Sequence, residues 1–197
     1  MGKGAKQAGT IVLARHGEPA LSRKVRLTSK GYADWWAVYE ETGLVPGQSA
    51  PEALIAHAEQ AGLIVSSTRK RSIETADVVA AGRAVRADAD LIEAPLPPPH
   101  WPAWIRLSPR LWGVIARTWW WFLNHHDGQE TRKQAQARAE LVADRLAADA
   151  ERGMNVLVIA HGFFNTMVRL SLQKRGWKLV ENRGFKYWSY ARLERVS

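Results

Sequence analysis

Two apolar runs near opposite ends of the chain stop at the same dipeptide. Residues 10–14 lead into Arg15-His16-Gly17-Glu18, and residues 155–160 lead into His161-Gly162. Short apolar runs bounded by turn signals read as buried strands, and those at 63–67 and 91–93 extend the series. Helical patterns fill the intervals. Thr28 is placed to cap a helix over 29–42 that ends before Gly43. Ile73, Ala76 and Ala80 line one face of a second helix stopping at Gly82. Asp127 and Glu130 have capping-box spacing ahead of a long helix ending near Gly153, with Ala135, Ala139, Val142, Leu146 and Ala150 on one face. A further helix is expected over 163–174 and a closing strand over 187–193. Strands alternating with helices predict an α/β three-layer sandwich, a mostly parallel central sheet flanked by helices. Its 197 residues suffice for one substantial core, so one domain is expected over 1–197. In such folds ligands bind at the carboxyl ends of strands, where both His-Gly pairs fall.

A third loaded segment starts at a strand end and enters a helix: Ser67-Thr68-Arg69-Lys70-Arg71-Ser72-Ile73-Glu74-Thr75-Ala76. Cations at a helix N-terminus oppose the macrodipole, and a bound dianion would account for them. The net charge of +9 likewise favours anionic partners: a phosphate ester, a nucleic acid or an acidic membrane surface. Without cysteine, disulfides, thiolate catalysis and cysteine-ligated metals are excluded. Residues 1–9 carry Lys3 and Lys6 and precede only a short apolar run, which does not read as a signal peptide. Lys6 also breaks the myristoylation pattern. The expected location is cytoplasmic, with peripheral membrane contact left open.

These elements together resemble the histidine phosphatase superfamily, the phosphoglycerate mutase-like group of branch 1 type. The resemblance is carried by the Arg-His-Gly-Glu opening, Leu27-Thr28 with Gly31, the set Ser67, Arg71, Glu74, Thr75 and Ala76, and the late Ala160-His161-Gly162. It implies a phosphohistidine formed on His16, with Arg15, Arg71 and His161 around the phosphoryl oxygens, and no metal or organic cofactor. The chemistry suits those residue types. A phosphoryl group in transfer spreads negative charge over its oxygens, arginine forks complement them, and a neutral imidazole supplies a lone pair near neutral pH. The family draws its general acid from a carboxylate after a middle strand, which points to Glu93, with Glu18 as the rival. The Ala94-Pro95-Leu96-Pro97-Pro98-Pro99 stretch departs from the usual downstream residues. Pro19-Ala20, Phe163-Phe164 and the lack of an Arg-His-Tyr-Gly loop depart from the mutases and favour hydrolysis of a phosphomonoester, small or lipid-linked. Alternatives are a mutase-like phosphotransferase, an inactive phosphate-ligand binder, and a basic nucleic-acid or membrane-binding protein. Nucleic acid is the least expected partner.

Residues 95–126 hold six of the ten tryptophans, with Arg106, Arg110 and Arg117 among them. In this family such an interval commonly covers the active site, so an aromatic helical lid is expected, with Trp101 and Trp104 selecting substrate beside Glu18 and Phe163. The competing reading is a subdomain whose tryptophans pack on the core. Arginines and prolines interrupt the segment too often for a membrane span, whereas an interfacial helix fits its composition. His125-His126 lacks the partners of a metal site and reads as a turn.

Overall fold

The computed structural model describes residues 7–196; residues 1–6, with Lys3 and Lys6, lie outside it, as does Ser197. Strands β1 (Ile11–Arg15), β2 (Leu63–Ser67) and β4 (Val156–Ala160) are almost continuously buried, as expected for parallel strands covered on both faces. With β3 (Arg86–Asp88), β5 (Trp177–Asn182) and β6 (Tyr190–Arg195) they form one sheet in the order β3-β2-β4-β1-β6-β5. The pairings β3 with β2, β2 with β4 and β4 with β1 are parallel. β6 runs antiparallel to β1 and β5, so the sheet is mixed with a parallel majority.

Helices α5 (Arg132–Glu151) and α6 (Gly162–Lys174) cover one face, packing Val142, Leu146, Phe164 and Leu172 against Leu13 and Val158. α2 (Glu52–Gln60) and α3 (Lys70–Ala80) cover the other, with Leu54, Ala76 and Val79 against Val12 and Ile159. Each fully buried Leu or Val contributes about 1.5–3 kcal/mol relative to exposure. α1 (Ser29–Glu41) and α4 (Pro109–Leu123) build a third, aromatic cluster around Tyr32, Trp112 and Ala116. Thr28 caps α1 by accepting from the Gly31 N–H at 3.1 Å, as its sequence position predicts.

Several expected boundaries move. The third strand is Arg86–Asp88, not 91–93, where a 3-10 turn (Ala89–Leu91) buries Leu91 completely. An edge strand this short and polar gives no apolar run to read. The long helix is capped by Thr131 and Gln134, which form a reciprocal capping box, and not by Asp127 and Glu130. Asp127 and Gly128 have φ of 46° and 73°, so the chain turns there before a helix can start. α2 and β5 went unread because neither has a sharp periodic pattern.

Candidate active site

The topology puts the ends of β1, β2 and β4 side by side, and each delivers one part of the site. β1 ends at Arg15 and continues into His16; β4 ends at Ala160 and continues into His161; Ser67 closes β2, and α3 carries Arg71 in its first turn. The His16 and His161 rings meet at 5.2 Å between centroids, edge to face. His16 is 2% exposed and His161 and Arg71 are each 1% exposed.

Hydrogen bonds assign the tautomers. His16 Nδ1 lies 2.7 Å from the Gly17 carbonyl oxygen, which can only accept, so the proton is on Nδ1 and the lone pair is on Nε2. For His161 the guanidinium Nη2 of Arg71, which can only donate, lies 3.3 Å from Nδ1. The His161 proton therefore sits on Nε2 and is donated to Ser67 Oγ at 3.0 Å. Burial, then the neighbouring Arg71 and Arg15, hold the His16 pKa well below the ordinary histidine value. Burial, His16 and Arg71 do the same for His161. Both imidazoles are therefore held in the neutral form near neutral pH.

Arg71 is fixed by donation from Nη1 to the Tyr39 carbonyl at 2.9 Å and from Nη2 to Glu40 Oε1 at 2.8 Å. Its guanidinium also lies over the Tyr39 ring, 4.6 Å from the centroid. Glu40 binds Arg69 through its other oxygen at 2.7 Å. The cations that crowd the start of α3 are thus partly compensated by a carboxylate of α1, a pairing no local sequence pattern announces. The Nε groups of Arg15 and Arg71 are buried without a protein partner, as are Arg69 Nε beside them and Arg192 Nε and Trp177 Nε1 elsewhere in the fold.

The glycines after the histidines serve close packing. Gly17 has no positive φ; a Cβ there would fall 2.5 Å from the Trp188 indole. At Gly162 a Cβ would meet Arg15 Cδ at 3.3 Å, against the side chain that borders the site. Tyr187, unforeseen from sequence, stands 5.7 Å from the His16 ring and 4.6 Å from the Arg15 guanidinium, with its pKa pushed up to about 12 by burial.

Above this floor opens a cavity of about 570 Å³. One wall is α1, with Tyr32, Trp35, Trp36 and Tyr39 at helical spacing; the opposite wall is α4, with Arg110, Val114, Arg117 and Thr118. Glu93 and Phe163 also line it. Glu93 Oε1 accepts from the N–H groups of Ala94 at 3.0 Å and Phe164 at 2.9 Å, and Oε2 accepts from Phe163 at 3.3 Å, so the carboxylate sits on the N-terminus of α6. Arg117, whose pKa burial lowers, donates to the Ala94 carbonyl at 3.2 Å and stacks 3.8 Å above Phe163.

Three expected substrate contacts fall outside the cavity. Glu18 is exposed, and its backbone N–H donates to Gln48 Oε1 at 2.8 Å. The Trp101 ring is committed to Trp112 and Trp119, with centroids 5.6 and 5.5 Å away. Trp104 is 81% exposed. Their places are taken by α1 aromatics whose i, i+3, i+4, i+7 spacing was the available signal. His125 approaches the Pro98 carbonyl oxygen at 3.1 Å. Among the described residues no group of three or more metal-ligating side chains converges.

Solved structures share this architecture. The mycobacterial glucosyl-3-phosphoglycerate phosphatase complexed with VO3 aligns with a TM-score of 0.57 at 21% identity, over 94% of this chain and 92% of that one. Mycobacterial hydrolase 1 aligns with 0.59 at 24% identity over 95% and 89%. A mutant phosphoserine phosphatase from Entamoeba histolytica, in complex with phosphoserine, aligns with 0.53 at 15% identity over 84% and 80%. At these identities the likeness is one of fold. No curated protein sequence matches the chain. The family model for the histidine phosphatase superfamily (branch 1) matches residues 11–196, the whole of the sheet and all its helices, and the chain belongs to that family.

Proposed function

We propose that the protein hydrolyses a phosphomonoester through a phosphohistidine on His16. The observation that carries this reading is the meeting of His16 and His161 with Arg71 between strand ends, with the His16 tautomer set by Gly17. Nε2 of His16 attacks phosphorus as the ester P–O bond breaks. Arg15 and Arg71 hold the equatorial oxygens, and fixed cations of this kind supply most of the stabilisation that phosphoryl transfer needs. His161, set between Ser67 and Arg71, is the third group around the phosphoryl oxygens.

Glu93, which lines the cavity, passes a proton to the departing alkoxide. As carboxylate it then takes a proton from the water that attacks the phosphohistidine, which releases inorganic phosphate and returns His16 neutral. A positioned acid and base of this kind is worth roughly 10²–10⁴ in rate. The aromatic walls of α1 and α4 suit a leaving group with apolar or planar surface, and α4 acts as part of the cap. A panel of phosphomonoesters assayed with the wild type and with His16→Ala tests the reading. Hydrolysis by the wild type and its loss in His16→Ala is the expected result; equal hydrolysis by both overturns it.

A further inference from the structure

α4 is apolar on two opposite sides. Trp112, Ala116 and Trp120 are buried. On the reverse, Leu111, Val114 and Phe122 are 52%, 60% and 74% exposed and, with Thr118, align along the helix. Scattered surface apolar residues are ordinary, but a line of them on one helix is not. By contrast α5 turns Lys133, Gln136 and Glu140 to solvent. The line also reaches the cavity, because Val114 and Thr118 belong to its wall.

The surroundings are basic. From Ala94 to His126 the chain has no Asp or Glu, while Arg106 and Arg110 are exposed. The loop carrying Arg23, Lys24 and Arg26 is also free of acid and is fastened to the approach to α4 by reciprocal backbone bonds between Leu27 and Leu107, at 2.9 and 3.0 Å. Trp104 stands exposed in that same approach. An apolar helix face bordered by unopposed cations and an exposed indole complements an anionic lipid surface. No helix among the described residues is long and apolar enough to cross a bilayer, so the contact is with its surface.

We infer that the outer face of α4 docks the protein on an anionic bilayer, with the cavity mouth at the lipid headgroups. Docking needs no catalytic step. Resting on the hydrolytic reading above, it also names the substrate class: a phosphomonoester carried by an amphiphile, whose head reaches His16 while its apolar part lies along α1 and α4.

The full chain is to be sedimented with vesicles of phosphatidylcholine plus phosphatidylglycerol, and with vesicles of phosphatidylcholine alone. Binding to the mixed vesicles, weakened by salt, is expected. The double variant Leu111→Gln/Phe122→Gln keeps every charge and changes residues outside the cavity lining; its partitioning should fall by about tenfold or more. Its circular dichroism and its rate on a small soluble ester should match the wild type. Three results overturn the inference: no binding of the wild type to mixed vesicles at low salt, equal binding by the double variant, or a wild-type dimer in sedimentation velocity that the double variant dissociates, which would make a second copy the occupant. His16→Ala separates the two proposals. It should bind vesicles as the wild type does, and hydrolysis retained in that variant removes the phosphatase reading while leaving docking in place.

Discussion

The two ends of the cavity are built by different means. At the floor, His16, His161 and Arg71 are almost completely buried and held by backbone carbonyls, Ser67 and Glu40. At the mouth, half-buried Trp35 and Trp36 of α1 pack against each other and stack on Tyr39, and Val114 of α4 is exposed. The floor inherits its geometry from adjacent parallel strands, so its positions are set by the sheet. The wall depends on how α1 lies against α4. Such a division lets the buried floor stay rigid while the wall above it varies, and it makes the two ends separable by mutation.

The largest separation is expected at His16. His16→Ala should reduce kcat on every ester, bulky or small, by about 10³-fold or more, measured as phosphate release. A loss confined to bulky esters would erase the distinction between floor and wall. Glu93→Gln comes next, with a fall of roughly 10²–10⁴ in kcat for alkyl esters and a much smaller one for a nitrophenyl ester, whose leaving group needs no proton. Trp36→Ala acts on the mouth alone: kcat/KM should drop about 10-fold to 200-fold for esters with large apolar groups and stay within twofold for a small ester. A uniform drop would mean that Trp36 shapes the floor.

The smallest effect is on stability. Both histidine pKa values are lowered by folding, so the unfolded chain takes up protons that the native site refuses. Stability from this source is fully present above the ordinary histidine pKa, about 6.5, and is lost as pH falls below it. Each histidine should cost about 1.4 kcal/mol per pH unit in that window, seen as a falling urea midpoint between neutral and mildly acidic buffer. His161→Asn should flatten the slope.

What sequence could and could not reveal follows the same division. That Arg15, His16, Arg71 and His161 come together at the strand ends was legible because the apolar run and the polar residues after it are neighbours in the chain. Glu40 was not legible, because its contact with Arg71 depends on how α1 crosses α3. The tryptophan-rich composition of 95–126 announced an aromatic segment but not which rings face the cavity. Trp101 and Trp104 were expected there, whereas packing assigns the wall to Trp35 and Trp36, outside that segment. Edge strand β3 and the Thr131 cap were missed for a related reason, since short polar segments acquire their structure from neighbours and turns rather than from periodicity.

The central claim is that a covalent phosphoryl group resides on one imidazole nitrogen. Rapid quenching of the wild type with a phosphomonoester in base, followed by peptide mapping with mass spectrometry, tests this directly. One acid-labile phosphoryl group is expected, attached to the peptide containing His16 and formed and lost at rates that match turnover. Steady turnover with no phosphorylated peptide, or with the label on another residue, would contradict it.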